Sequence, residues 1–114
     1  MTGRDQRAGA VFAALADPTR RQVLSIVGER GPLSATELAA GLPVSRQAVA
    51  KHLDALRDAG LVAAQREGRA VRFALTAGGL DDASAWMADV GRRWDRRVEA
   101  LRRRAGQRAR VRSS

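Results

Sequence analysis

The sequence predicts a mainly α-helical chain with one small β-hairpin, and three observations carry that prediction. Apolar residues recur at three- and four-residue spacing over most of the chain. Most of these stretches open on a capping residue or close on a glycine or proline. The period changes once, between Leu61 and Leu75, where two short segments flank Arg66-Glu67-Gly68-Arg69.

Each element follows from local chemistry. Ala8 to Leu15 is alanine-rich, with Val11, Phe12 and Leu15 at helical spacing. It stops at Asp17-Pro18. Asp17 can cap the next helix, and Pro18 suits a first position whose amide would otherwise be unpaired. That second helix carries Val23, Leu24 and Val27 on one face and ends near Gly28 to Gly31, where Pro32 prevents continuation. Ser34-Ala35-Thr36-Glu37 is a capping-box pattern, in which Ser34 accepts from the Glu37 amide and Glu37 accepts in return. A short helix, Ala35 to Ala40, follows, and Gly41, tolerant of left-handed backbone, ends it. Leu42-Pro43-Val44 makes a turn. Ser45 then caps a helix from Arg46 to Ala59, with Val49, Leu53 and Leu56 inward and Gly60 closing it.

Leu61 to Gln65 and Ala70 to Leu75 are expected as strands, and Gly68 supplies the positive φ their turn needs. Thr76 to Gly79 links to a last helix, Leu80 to Ala105. Its apolar stripe is Trp86, Val90, Trp94, Val98 and Leu101, and Gly91 weakens it locally. The order is helix, helix, helix–turn–helix, hairpin, long helix, which defines a winged helix-turn-helix.

Composition narrows the function. A length of 114 residues fits one domain, assigned here to residues 1–105, with residues 106–114 as a basic, disordered tail. The absence of cysteine excludes a disulfide scaffold and thiolate metal or redox chemistry. No run of about 18 apolar residues suggests a membrane span, and the polar start lacks a signal core, so the expected compartment is the cytoplasm. The net charge of +9 is concentrated: from Arg92 onward ten Arg oppose only Asp95 and Glu99. Such a stretch is either a solvated tail or a phosphate-seeking one.

The helix–turn–helix carries the functional expectation. A helix fits the major groove of B-DNA and presents its first residues to base edges. Here those residues are Arg46, Gln47, Ala50 and Lys51. Arg can bind guanine bidentately and Gln can bind adenine. Ala50 permits close approach, while Ser45, the free amides and Lys51 can take phosphate. Arg69 and Arg72 lie on or beside the hairpin tip, where a basic wing reaches the backbone or minor groove. Two Trp in one terminal stripe are hard to bury internally. Trp86, Val90, Trp94 and Val98, with Val11 and Phe12, are therefore expected at a homodimer interface, beside some intrachain packing.

Several motifs in series resemble the ArsR family. Ala14-Leu15-Ala16-Asp17-Pro18-Thr19-Arg20-Arg21 is similar to that family's entry into its second helix. Ser45-Arg46-Gln47-Ala48-Val49-Ala50-Lys51-His52-Leu53 resembles its recognition helix, Leu56 to Val62 the exit, and Arg66-Glu67-Gly68-Arg69 the wing. The likeness spans roughly residues 8 to 104. It implies a homodimer that blocks transcription from a partly palindromic operator and is released by a signal. The sequence departs from the family's metal sensors. Glu37-Leu38-Ala39-Ala40-Gly41 holds no thiol, and the last helix has carboxylates but no His. The single histidine, His52, cannot build a transition-metal site and is expected to pack or touch phosphate. Asp81 and Asp82 could at most hold a hard cation weakly. No metal or cofactor is expected, and no effector can be named.

An enzyme is not expected, since there is one His, no Cys or Tyr, and no glycine-rich phosphate loop. The remaining alternative is an architectural nucleic-acid binder without sequence preference. The Arg-rich end fits it, whereas the ordered helix–turn–helix and wing fit double-stranded DNA read by sequence.

Overall fold

The computed structural model describes residues 2–113. Its elements are α1 (Gly3–Ala14), α2 (Pro18–Arg30), β1 (Leu33–Ser34), α3 (Ala35–Ala40), α4 (Arg46–Asp58), β2 (Val62–Glu67), β3 (Ala70–Leu75) and α5 (Asp81–Ser113). This is the expected mostly helical fold with a small antiparallel sheet. The chain divides into two compact units, Met1–Ala83 and Ser84–Ser114.

In the first unit, helix starts are fixed by side-chain caps. Thr2 and Asp5 form a capping box at α1, which begins earlier than the apolar pattern alone suggests. Asp17 accepts from the Arg20 amide at 3.1 Å, with Pro18 at the first position of α2. Ser34 and Glu37 exchange both bonds of the α3 capping box, at 3.1 and 3.2 Å. Ser45 Oγ accepts from the Ala48 amide at 3.1 Å at the start of α4. Each bond satisfies an amide the helix itself leaves unpaired. At the other end of α1, the Arg20 and Arg21 guanidiniums donate to the carbonyls of Ala14 and Leu15, so α2 closes α1. Gly31 ends α2 where no side chain fits, since a Cβ would lie 2.4 Å from the Val27 carbonyl oxygen.

The sheet has the order β1-β3-β2, antiparallel throughout. The β2–β3 hairpin turns at Gly68, whose φ of 61° is the left-handed value expected there. Strand β1 was not expected. It pairs Leu33 with Phe73 and Ser34 with Arg72, laying the segment before α3 against the wing. Two residues are too few for any alternation to show.

The core is continuous across the unit. Val23 and Val27 of α2, Leu38 of α3, Val49, Leu53 and Leu56 of α4, and Phe73 of β3 are all buried. Val49, Leu53 and Leu56 have no exposed surface, so the inner face of α4 is fully committed to packing. Val11 belongs to this core as well, at 2% exposure. That corrects its assignment to an interface: it faces inward on α1 with Ala8 and Ala14. Gly41 also differs, because its φ is −102° and the expected left-handed cap is not used.

In the second unit, α5 continues through the stretch expected to be a disordered tail, up to Ser113. Ser114 lies outside the described residues. The reason is local. Arg and Ala dominate Arg102 to Arg112, proline is absent, and the single Gly106 is a modest penalty on an established helix.

Candidate nucleic-acid interface

The outer face of α4 is the opposite of its inner face. Ser45, Arg46, Gln47 and Lys51 are exposed, and Ala50 is half-buried between them. Arg46 and Ala50, like Gln47 and Lys51, are four residues apart and share one side of the helix. The stripe ends at Asp54, whose carboxylate pairs with Arg57 at 3.4 Å rather than with Lys51. Basic and amide side chains thus stand free at the first turns, where the helix's positive dipole end also points. With Val49, Leu53 and Leu56 locked in the core, this face cannot rotate away from solvent.

At the wing, Arg66 and Arg69 are exposed on either side of Gly68. Arg72 behaves differently. Its guanidinium lies between Glu37 at 3.8 Å and Glu67 at 3.6 Å, and its buried Nε has no hydrogen-bond partner. Two carboxylates neutralise it locally. Arg72 therefore ties β3 to the capping box of α3 and has little free charge for a phosphate. Such exposed pairs contribute at most about 1 kcal/mol each, so the tie orients more than it stabilises. Sequence reasoning missed Glu37 as its partner, since a contact across 35 positions leaves no local pattern.

Arg20 was also missed. Its Nε donates to His52 Nδ1 at 3.5 Å while its Nη1 holds the Ala14 carbonyl. This links the ends of α1 and α2 to the middle of α4 through half-buried His52. The Arg20 amide, donating to Asp17, holds that carboxyl below its ordinary pKa, with a smaller contribution from nearby His52. Glu37 is likewise lowered, chiefly by the Ser34 amide and hydroxyl, with Arg72 adding to it.

Of the residues expected at an interface between copies, Trp94 is 68% and Trp86 40% exposed, while Phe12 stands at 37%. Val90 and Val98 are half-buried. Met87 and Leu101, seven residues to either side of Trp94, are about half exposed and extend the row. Among the described residues, no group of three or more His, Cys, Asp or Glu could hold a metal ion. Asp82, once a candidate for a hard cation, is paired with Arg7 at 2.7 Å. No helix among the described residues is long and apolar enough to cross a membrane.

Known proteins share this arrangement. A helix-turn-helix domain family matches residues 15–64. The HTH-type transcriptional regulator Rv2034 of Mycobacterium tuberculosis is 42% identical over 85 residues, covering 75% of this chain and 76% of its own. The transcriptional repressor SdpR of Bacillus subtilis is 31% identical over 77 residues, covering 68% and 84%. An ArsR-like transcriptional regulator from Rhodococcus sp. RHA1 superposes with a TM-score of 0.77 at 41% identity, covering 88% of this chain and 93% of that one. The matched region contains α2, α3 and α4, and with them the capped start of α4. The chain belongs to the ArsR family of winged helix-turn-helix transcriptional regulators.

Proposed function

We propose that this regulator is a repressor that binds an inverted-repeat operator as a homodimer. The observation that carries the reading is the two-sidedness of α4: an inner face without exposed surface and an outer face of Ser45, Arg46, Gln47, Ala50 and Lys51. Arg46 and Gln47 read base edges in the major groove. Ser45, Lys51 and the first amides of α4 hold phosphates. Arg69, with Arg66, extends the footprint from the wing. Arg72 acts mainly by holding the wing against α3. Repression is supported by the likeness to SdpR, which is named a repressor.

Dimerisation is supported by the exposed apolar row of α5, because single helices do not leave a Trp 68% exposed without cost. Trp86, Val90, Trp94 and Val98 of α5 pack against their two-fold mates, and Phe12 of α1 is a further residue of the interface. Residues 1–105 then suffice for binding and dimerisation, and the Arg-rich stretch beyond adds sequence-independent affinity. No catalytic step or resident cofactor enters this reading, and the site of action is the cytoplasm.

Selection from a random duplex pool tests it. The protein should enrich an inverted repeat whose half-sites are about one helical turn, roughly 34 Å, apart. Enrichment of DNA without sequence preference would overturn it in favour of an architectural binder, which the exposed arginines of α5 favour.

A further inference from the structure

The first unit carries a half-open cavity of about 380 Å³ that the DNA-binding face does not use. Leu24 of α2, Leu61 just beyond α4, Leu75 at the end of β3 and Leu80 just before α5 wall it. Leu75 and Leu80 are about half exposed, so large apolar surface lines a concave space rather than filling it. Gly28 forms a bare part of the wall: a Cβ there would already lie 3.4 Å from a Leu75 methyl.

The polar groups around the rim are mostly spoken for. The Thr76 amide donates to the Leu61 carbonyl at 3.0 Å, and the Asp81 amide to the Gly78 carbonyl at 3.1 Å. Asp81 is the one acidic residue among those lining the cavity, and it makes no ion pair among the described residues. A chain of net charge +9 thus presents a lone negative group beside an apolar pocket.

We propose that this cavity is an effector site for a small apolar organic cation. The volume lies within the about 300–1,000 Å³ usual for small-molecule sites. Four leucines supply the apolar contact. The carboxylate selects the charge, because an anion there would meet repulsion and a neutral ligand would strip water from Asp81 without replacing it. A concave pocket of this volume seats a compact molecule better than a flat protein surface. The site also touches the DNA-binding parts. Leu61 follows the exit of α4 and Leu75 stands at the base of the wing, so an occupant shifts both. This regulatory consequence rests on the DNA-binding reading above, whereas the binding step does not.

Binding is therefore tested first without DNA, on the full chain. Tetraphenylphosphonium is titrated against ¹⁵N-labelled protein, with tetraphenylborate as its anion of the same shape. Saturable shifts are expected at the amides of Gly28, Leu61, Leu75 and Leu80 with the cation. Gly28→Leu fills the cavity from a helical position and should weaken binding at least tenfold. Asp81→Asn should weaken the cation at least fivefold without weakening the borate. No shift at these amides, as when a second copy covers the cavity, overturns the proposal. So does cation binding unchanged in both variants, or borate binding as tight as the cation's in wild type. A variant that circular dichroism shows unfolded is set aside, and the other decides. Saturating cation should then change wild-type affinity for the selected operator at least threefold and leave Gly28→Leu unchanged. Cation binding without that change would overturn the effector role alone.

Discussion

Ser45 serves two roles that a pair of substitutions separates. Its Oγ accepts the Ala48 amide at 3.1 Å, and its exposed position starts the helix proposed to enter the groove. Ser45→Ala removes the cap and should cost about 1 kcal/mol of stability. For a domain of this size that lowers the melting temperature by about 4–8 °C. Ser45→Asp keeps an acceptor at the same place, and Asp caps as well as Ser. Its charge also suits the positive helix end, adding about 0.3–1 kcal/mol. Ser45→Asp should therefore melt no lower than wild type.

DNA responds in the opposite sense. A carboxylate about 6 Å from a phosphate repels it by about 0.7–3 kcal/mol, taking effective dielectrics of about 80 to 20. Two half-sites double this, so operator affinity should fall at least about tenfold. Thermal melting by circular dichroism and fluorescence anisotropy with labelled operator measure the two effects. A Ser45→Asp protein that folds normally and binds operator like wild type would refute the placement of this helix start against the phosphates.

Four further outcomes are expected. Arg46→Ala and Gln47→Ala should each cost about 1–3 kcal/mol of operator affinity and relax specificity at one base position, read by competition among single-base operator variants. Arg69→Ala should weaken binding and flatten the salt dependence by about one phosphate equivalent, while Arg72→Ala should weaken it with a nearly unchanged slope. Trp94→Asp should yield monomers by sedimentation and lose operator binding, although it leaves the DNA-facing residues intact. Finally, Glu37 has a lowered pKa when folded, so its contribution to stability is full above its unfolded value and is lost as pH falls through the folded one. Melting temperature should fall below about pH 4, and Glu37→Gln, which can still complete the capping box, should make that fall shallower.

Much of this molecule is written locally. Ser34 and Glu37, Ser45, Asp17-Pro18 and Gly68 each fix a helix start or a turn within four residues, which is why α3 and the start of α4 fall where the sequence places them. The inner face of α4 was equally legible, because Val49, Leu53 and Leu56 repeat at helical spacing and its outer face follows by exclusion. The strand β1 was not legible. Leu33 and Ser34 are a strand only because Phe73 and Arg72 lie beside them. The same holds for Arg72, a free basic residue in the sequence and a neutralised tie between Glu37 and Glu67 in the fold. Val11 and Phe12 were alike as neighbouring apolar residues, yet packing buries the first and leaves the second at 37% exposure. Caps and periodicity act over one or two turns, so the sequence alone determines them. Which arginine keeps its charge, which apolar residue stays exposed and where leucines leave a cavity depend on groups far apart in the chain, and only the tertiary structure decides them.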